Sequence, residues 1–284
     1  MNFFPKKVNF DICTYCNHKC TFCSNADTRT LKDTVSYLDF ITVMDNVTKY
    51  VDVDELGLSA KGEVLLNNDI INIVRVAKER YGIKYVYISS NGAFLTKKLA
   101  KKLLQAGLDS IKFSINGYDA ESYRIVHLKD DFLKVIKNFN DLLELKSTEF
   151  PNTKIFISSI IDINKVELEK YFQKYFSKHY DLISGVLKYN ITYTPKFNDF
   201  KVDKSKLKAC PLVFNEIYID SDCRLGLCCK DYFKEFDYGS LLKYDFKTLY
   251  QGDNMSSIRK LHTDMALPED HFCKKCLIFE VNNA

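Results

Sequence analysis

The chain has 284 residues, 46% of them hydrophobic and 27% charged, with a formal net charge of +4. That balance belongs to a globular protein with one sizeable core and room for a small appendage. It excludes a disordered or collagen-like chain, and the mild lysine clusters TKKLAKK (96–102) and KFNDFKVDKSKLK (196–208) read as solvated faces, not nucleic-acid sites. The opening MNFFPKKVNF has no apolar export core, and no apolar run approaches the roughly 18 residues that cross a bilayer. A cytoplasmic protein without membrane or nucleic-acid partners is expected.

In chain order, KVNFDI (7–12) predicts a strand that runs directly into CTYCNHKCTFC (13–23). A helical period covers 36–50, a strand 53–59, and a helix 69–82 that stops at Gly82. A strand is predicted at 84–90 and a helix over 96–107, capped by Thr96 and ended by Gly107. Strands at 110–115, 153–161 and 181–189 alternate with helices at 130–146 and 165–179. Six strand-then-helix repeats predict an α/β fold. The expected form is a partial (β/α)6 TIM-like barrel over residues 1–200, with function at the carboxyl ends of its strands. Residues 201–284 read as a small α+β domain, a β-hairpin in EIYIDSDCRLGLC (216–228) and a short helix near 256–262.

Ten cysteines fall into two groups, 13, 16, 20 and 23 near the start and 210, 223, 228, 229, 273 and 276 near the end. In a reducing compartment such clustering favours metal over disulfides. Zinc usually takes two separated Cys-x2-Cys pairs. Cys16-x3-Cys20-x2-Cys23 is more compact and suits three corners of a cubane, with the fourth iron open or held by Cys13. The residues alone leave zinc and iron–sulfur both open, and His18 inside the loop reads as a solvent-facing spacer.

Taken with the strand order, these motifs resemble the radical S-adenosylmethionine (radical SAM) superfamily over nearly the whole chain. The signature is Cys16, Cys20 and Cys23 with the aromatic Phe22 before the last cysteine. The resemblance implies a [4Fe–4S] cluster whose open iron binds S-adenosyl-L-methionine, and it leaves Cys13 buried and inert. The family's Gly-Gly-Glu-Pro run is similar to KGEV (61–64): Gly62 and Glu63 match, Lys61 and Val64 depart. Glu63 would accept from the cofactor's ammonium. SSNGAFLT (89–96) is similar to the ribose-contacting turn, at Ser90 and Asn91. SINGYDAESYRIVH (114–127) is similar to a further family run, placing Ser114 and Asn116 near the ribose or methionine carboxylate and Arg124 or His127 at that carboxylate.

The C-terminal cysteines resemble the SPASM/twitch extension behind many radical SAM cores. The twitch pattern implies an auxiliary [4Fe–4S] cluster on Cys210, Cys228, Cys273 and Cys276, with Cys229 beside it as a non-ligand and Cys223 at a hairpin-turn position where the family usually has glycine. Zinc on four thiolates is the alternative.

The resemblance implies an oxygen-sensitive oxidoreductase that forms a 5′-deoxyadenosyl radical and takes hydrogen from substrate, using a one-electron donor such as flavodoxin or ferredoxin. The chain's shortness favours a small sugar- or cyclitol-like alcohol, dehydrogenated in a two-electron oxidation. Radical modification of a peptide side chain is the alternative, and a non-catalytic electron-transfer protein a remote one. Lys188, Tyr189 and Tyr193, leaving the last barrel strand, are the candidates for a catalytic base.

Overall fold

The computed structural model describes residues 4–23, 34–58, 61–160, 165–176, 178–188 and 208–283. Its centre is a nine-stranded sheet in the order β6-β5-β4-β3-β2-β1-β7-β8-β9. Strands β1 (Lys7–Phe10), β2 (Glu55–Gly57), β3 (Tyr85–Ser90), β4 (Ser110–Ser114), β5 (Lys154–Ser159) and β6 (Gly185–Lys188) run parallel, each beside the next. This is the expected open barrel of six strands. The sixth strand begins later than predicted, because Tyr180–Leu182 forms a 3₁₀ turn instead.

Five predicted helices are present: α1 (Tyr37–Thr48), α2 (Ile70–Glu79), α3 (Lys97–Gln105), α5 (Phe132–Thr148) and α6 (Lys165–Phe176). A sixth, α4 (Ala120–His127), was not predicted. A reciprocal capping box of Asp119 and Ser122 starts it. The helices cover one face of the sheet, where Val8, Phe10, Leu56, Val86, Ile88, Ile111 and Phe113 are fully buried. Phe10 stacks on Phe40 of α1, and Phe113 meets Phe139 of α5 edge-on.

The C-terminal hairpin does not stand apart from the barrel. Its first strand, β7 (Ile217–Ile219), pairs in parallel with β1, and β8 (Arg224–Gly226) and β9 (Asp237–Ser240) add antiparallel strands beyond it. The extension therefore prolongs the barrel's own sheet. A four-residue helix α7 (Leu212–Asn215) precedes β7, and three helices follow β9: α8 (Phe246–Tyr250), α9 (Asp253–Thr263) and α10 (Phe272–Asn283). Only the second of these three was predicted.

Cys223 occupies the β7–β8 turn at φ +60°, in the left-handed region that glycine enters without strain. Burial of its side chain pushes the thiol up to about 12.

Candidate active site

Strand β1 ends at Phe10, and the cysteine loop follows on the face where all six parallel strands end. Asn67 anchors its entry by donating to the carbonyls of Ile12 and Val35, both at 2.9 Å. A turn from Cys23 N to Cys20 O, 3.0 Å, closes the loop's far end. Thr21 N donates to Val126 O of α4 at 2.9 Å. The helix that the sequence pattern missed therefore holds this loop in place.

The KGEV turn lies directly beneath the loop. A Cβ on Gly62 would overlap the carbonyl oxygens of Cys13 and Tyr15, so only glycine lets the two backbones meet. Glu63 N donates to Tyr15 O at 2.6 Å. The Glu63 carboxylate is buried and accepts from Leu65 N (3.1 Å), Ser90 Oγ (2.7 Å) and Asn91 N (2.8 Å). Burial pushes its pKa up, while these donors hold it down. Ser90 is thus committed to Glu63. Asn91 reaches Asn17 Oδ1 at 2.8 Å and Cys16 Sγ at 3.9 Å through Nδ2. Glu63, Ser90, Asn91 and Cys16 form one connected frame. About four lone-pair positions on a carboxylate leave one on Glu63 for an incoming donor.

Lys61 replaces the family's first glycine. Its ammonium is buried and pairs with Asp220 Oδ1 at 2.7 Å, just beyond β7. Asp11, beside Asp220 at the end of β1, is also buried, and its Oδ2 lacks a hydrogen-bond partner among the described residues. Burial pushes Asp11 up to about 7, with Lys61 opposing and Asp220 reinforcing the shift. The departure from the motif is therefore a link between barrel and extension.

His18 is not a solvent-facing spacer. It is 1% exposed, with Nε2 3.0 Å from Asp131 Oδ2 and Nδ1 3.1 Å from His127 Nδ1. His127 lies 3.4 Å from Cys20 Sγ and stacks on Tyr123. Asn116 N donates to His127 Nε2 at 3.1 Å, and Asn116 Oδ1 accepts from Ile160 N. No local pattern marks His18 and Asp131 as partners, because 113 residues separate them. Of the remaining sequence candidates, Phe22 and Ser114 are half-buried and Arg124 is exposed on α4. Tyr189 and Tyr193 lie outside the described residues, and of Lys188 only the backbone is described, as the end of β6.

The thiols suit metal clusters. All ten cysteines are free of disulfides. Cys16, Cys20 and Cys23 are half-buried on one loop, whereas Cys13 is 2% exposed and burial pushes it up to about 12. In the second group, burial pushes Cys273 up to about 12, with Cys276 and Cys210 adding like-charge repulsion. Cys228 is raised by burial, then by Cys229, Cys276 and Cys273 among its neighbours. Cys228 and Cys273, so placed, lose their protons readily only to a metal. Cys16, Cys20 and Cys23 would hold the first [4Fe–4S] cluster, and Cys210, Cys228, Cys273 and Cys276 the second.

The concave face of the sheet is polar. Glu216 accepts from Lys7 and Asn9, and Tyr87 donates to Asn9 Oδ1 at 2.9 Å across Gly57. Cys229 is half-buried, with Glu216, Lys230 and Lys7 among its charged neighbours. Lys112 of β4 is lowered by burial, with Cys229 opposing. Tyr232 is raised by burial, and its electrostatic neighbours include Cys23 of the first thiol group and Cys228 of the second.

Comparison with known proteins agrees with this geometry. The model of the Radical SAM superfamily matches residues 11–174, and that of the SPASM iron–sulfur cluster-binding domain matches 210–277. The chain belongs to the radical SAM superfamily and carries a SPASM-type iron–sulfur region. Among curated relatives, a GTP 3′,8-cyclase of Alkaliphilus oremlandii is 27% identical over 184 residues, 63% of this chain and 56% of the relative. One from Limosilactobacillus fermentum is 34% identical over 121 residues, 41% and 35% of the two. The chain thus spans about half the length of these relatives, or less. Similar solved structures include BtrN in complex with AdoMet and 2-DOIA, with 14% identity, a TM-score of 0.62 and coverage of 92% and 88%. They also include anSMEcpe with bound AdoMet, with 15% identity, a TM-score of 0.67 and coverage of 90% and 83%. At these identities the likeness is one of fold. No helix among the described residues is long and apolar enough to cross a membrane.

Proposed function

We propose that this radical SAM enzyme oxidises a small polyhydroxy substrate by two electrons, converting an alcohol to a carbonyl. The cofactor-bound cluster supplies, when present, the radical that takes hydrogen from an unreactive C–H bond. The chain's own part is to hold the substrate against it and to exclude water. A two-electron oxidation also needs an electron sink beside the substrate, and Cys210, Cys228, Cys273 and Cys276 are the residues that would hold one. The observation that carries the reading is the parallel pairing of β7 with β1, which joins the extension bearing the second thiol group to the barrel bearing the first, and the Tyr232 hydroxyl feels the charges of both Cys23 and Cys228. The polar net of Lys7, Asn9, Tyr87 and Glu216 suits a hydroxyl-rich substrate better than an apolar one. A flavodoxin or ferredoxin is the proposed electron donor, and the cytoplasm the proposed compartment.

The curated relatives favour a second reading, a cyclisation of GTP or a similar nucleotide. Modification of a peptide side chain is the third. The test is turnover with reconstituted protein on cyclitols and aminocyclitols, on GTP and on Ser- or Cys-containing peptides, measuring product against 5′-deoxyadenosine. The proposal expects a ketone from a polyol and none from the other two. It also expects Cys228→Ala, shown to lack the second cluster, to cleave cofactor without forming ketone. Normal product ratios in that variant overturn the electron-sink role, and turnover of GTP or peptide alone overturns the substrate class.

A further inference from the structure

Three polar contacts to His127, and one from its neighbour His18 to Asp131, fix where the His127 proton sits. Asn116 N–H points at Nε2 from 3.1 Å, so Nε2 is the acceptor and the ring's hydrogen is on Nδ1. Nδ1 then faces two groups, His18 Nδ1 at 3.1 Å and Cys20 Sγ at 3.4 Å. The carboxylate of Asp131 lies 3.0 Å from His18 Nε2 and accepts its N–H. His18 Nδ1 therefore carries no hydrogen and can accept from His127. Stacking on Tyr123, with ring centroids 4.0 Å apart and planes 15° apart, prevents the ring from turning away. His18 and His127 are both about 1% exposed, so water does not substitute for these contacts.

We propose that His127 is a positioning residue of the first cluster site. Its Nδ1–H donates to the Cys20 thiolate, in a tautomer set by Asn116, His18 and Asp131. Hydrogen bonds to ligand sulfur tune the potential of an iron–sulfur cluster, because the N–H stabilises the more negative, reduced state. The inference rests on Cys20 being a cluster ligand, and iron analysis tests that separately.

The experiment is a redox titration of the reconstituted full-length protein, followed by electron paramagnetic resonance without substrate or S-adenosylmethionine. His127→Phe removes the donor, and reduction of the first cluster should become about tenfold less favourable, about 59 mV for one electron. His127→Asn places an amide N–H near the position of Nδ1 and should restore most of the potential. His18→Phe leaves sulfur as the only acceptor and should not lower it. In protein labelled with ¹⁵N-histidine, the reduced first cluster should show a nitrogen coupling that His127→Asn abolishes. A wild-type potential in iron-replete His127→Phe overturns the proposal. So does labelled wild type with no coupling beyond that of His127→Asn, which decides the matter even if the phenylalanine variant takes up no iron.

Discussion

Lys61 and Asp220 meet at 2.7 Å, 159 residues apart in sequence, with side chains only 3% and 7% exposed. One follows β2 of the barrel, and the other follows β7 of the extension. Removing one partner from a buried pair leaves the other charge uncompensated, which costs about 3–5 kcal/mol. Lys61→Met should therefore lower the urea midpoint strongly, and Lys61→Gly, which restores the family's residue, should do the same. Lys61→Met combined with Asp220→Leu should recover much of the loss.

Asp11 gives this region a pH dependence of definite sign. Its folded pKa, about 7, lies above the ordinary 3.8. Between those values the folded state holds a proton that the unfolded state has released. Its contribution to stability is therefore full below about pH 4 and is lost as pH rises towards 7. Subtracting the stability profile of Asp11→Asn from that of the wild type should show this fall. A flat difference would mean that Asp11 ionises as it does in the unfolded chain.

Glu63 has two duties that one substitution should reveal together. Glu63→Gln puts an NH₂ where one of three donors now finds an acceptor, and weakens any contact to the cofactor's ammonium. A charge-assisted hydrogen bond contributes about 1.5–3 kcal/mol. S-adenosylmethionine affinity, measured by equilibrium dialysis, should fall by roughly one to two orders of magnitude. Iron content should stay unchanged, because Glu63 N, which binds Tyr15 O, is untouched.

Iron counting separates the two thiol groups. At four irons per cubane, the filled chain should hold about eight. Replacing Cys16, Cys20 and Cys23 by Ala should leave about half. Gly62→Ala changes no ligand, yet its methyl group would overlap the backbone of Cys13 and Tyr15. It should lose iron from the first site alone, approaching the triple variant. Full iron in Gly62→Ala would mean that the loop yields easily.

The sequence reveals what repeats locally. The strand pattern, the Cys-x3-Cys-x2-Cys spacing and the odd residue at Cys223 are all visible within a few positions. Helix α4 escapes because it is eight residues long and its two buried side chains, Tyr123 and His127, serve the cysteine loop rather than an apolar core. The role of His18 is hidden for the same reason. In the loop it is one polar residue among others, and Asp131, which defines its role, lies at the start of a later helix. Lys61 looked like a lost glycine until Asp220 stood beside it. Pairings across the chain leave no periodicity, so they become legible only in three dimensions.

The place of β7 in the sheet also bears on synthesis. Strand β1 leaves the ribosome before the other strands of its sheet, yet one of its two neighbours is residues 217–219. While the intervening chain is being made, β1 has a row of amides and carbonyls with no strand to receive them. Such an edge invites pairing with another nascent chain. A chain released near residue 200 keeps that edge open permanently. Synthesis through residue 219, rather than folding of the first two thirds, is what covers that edge of β1.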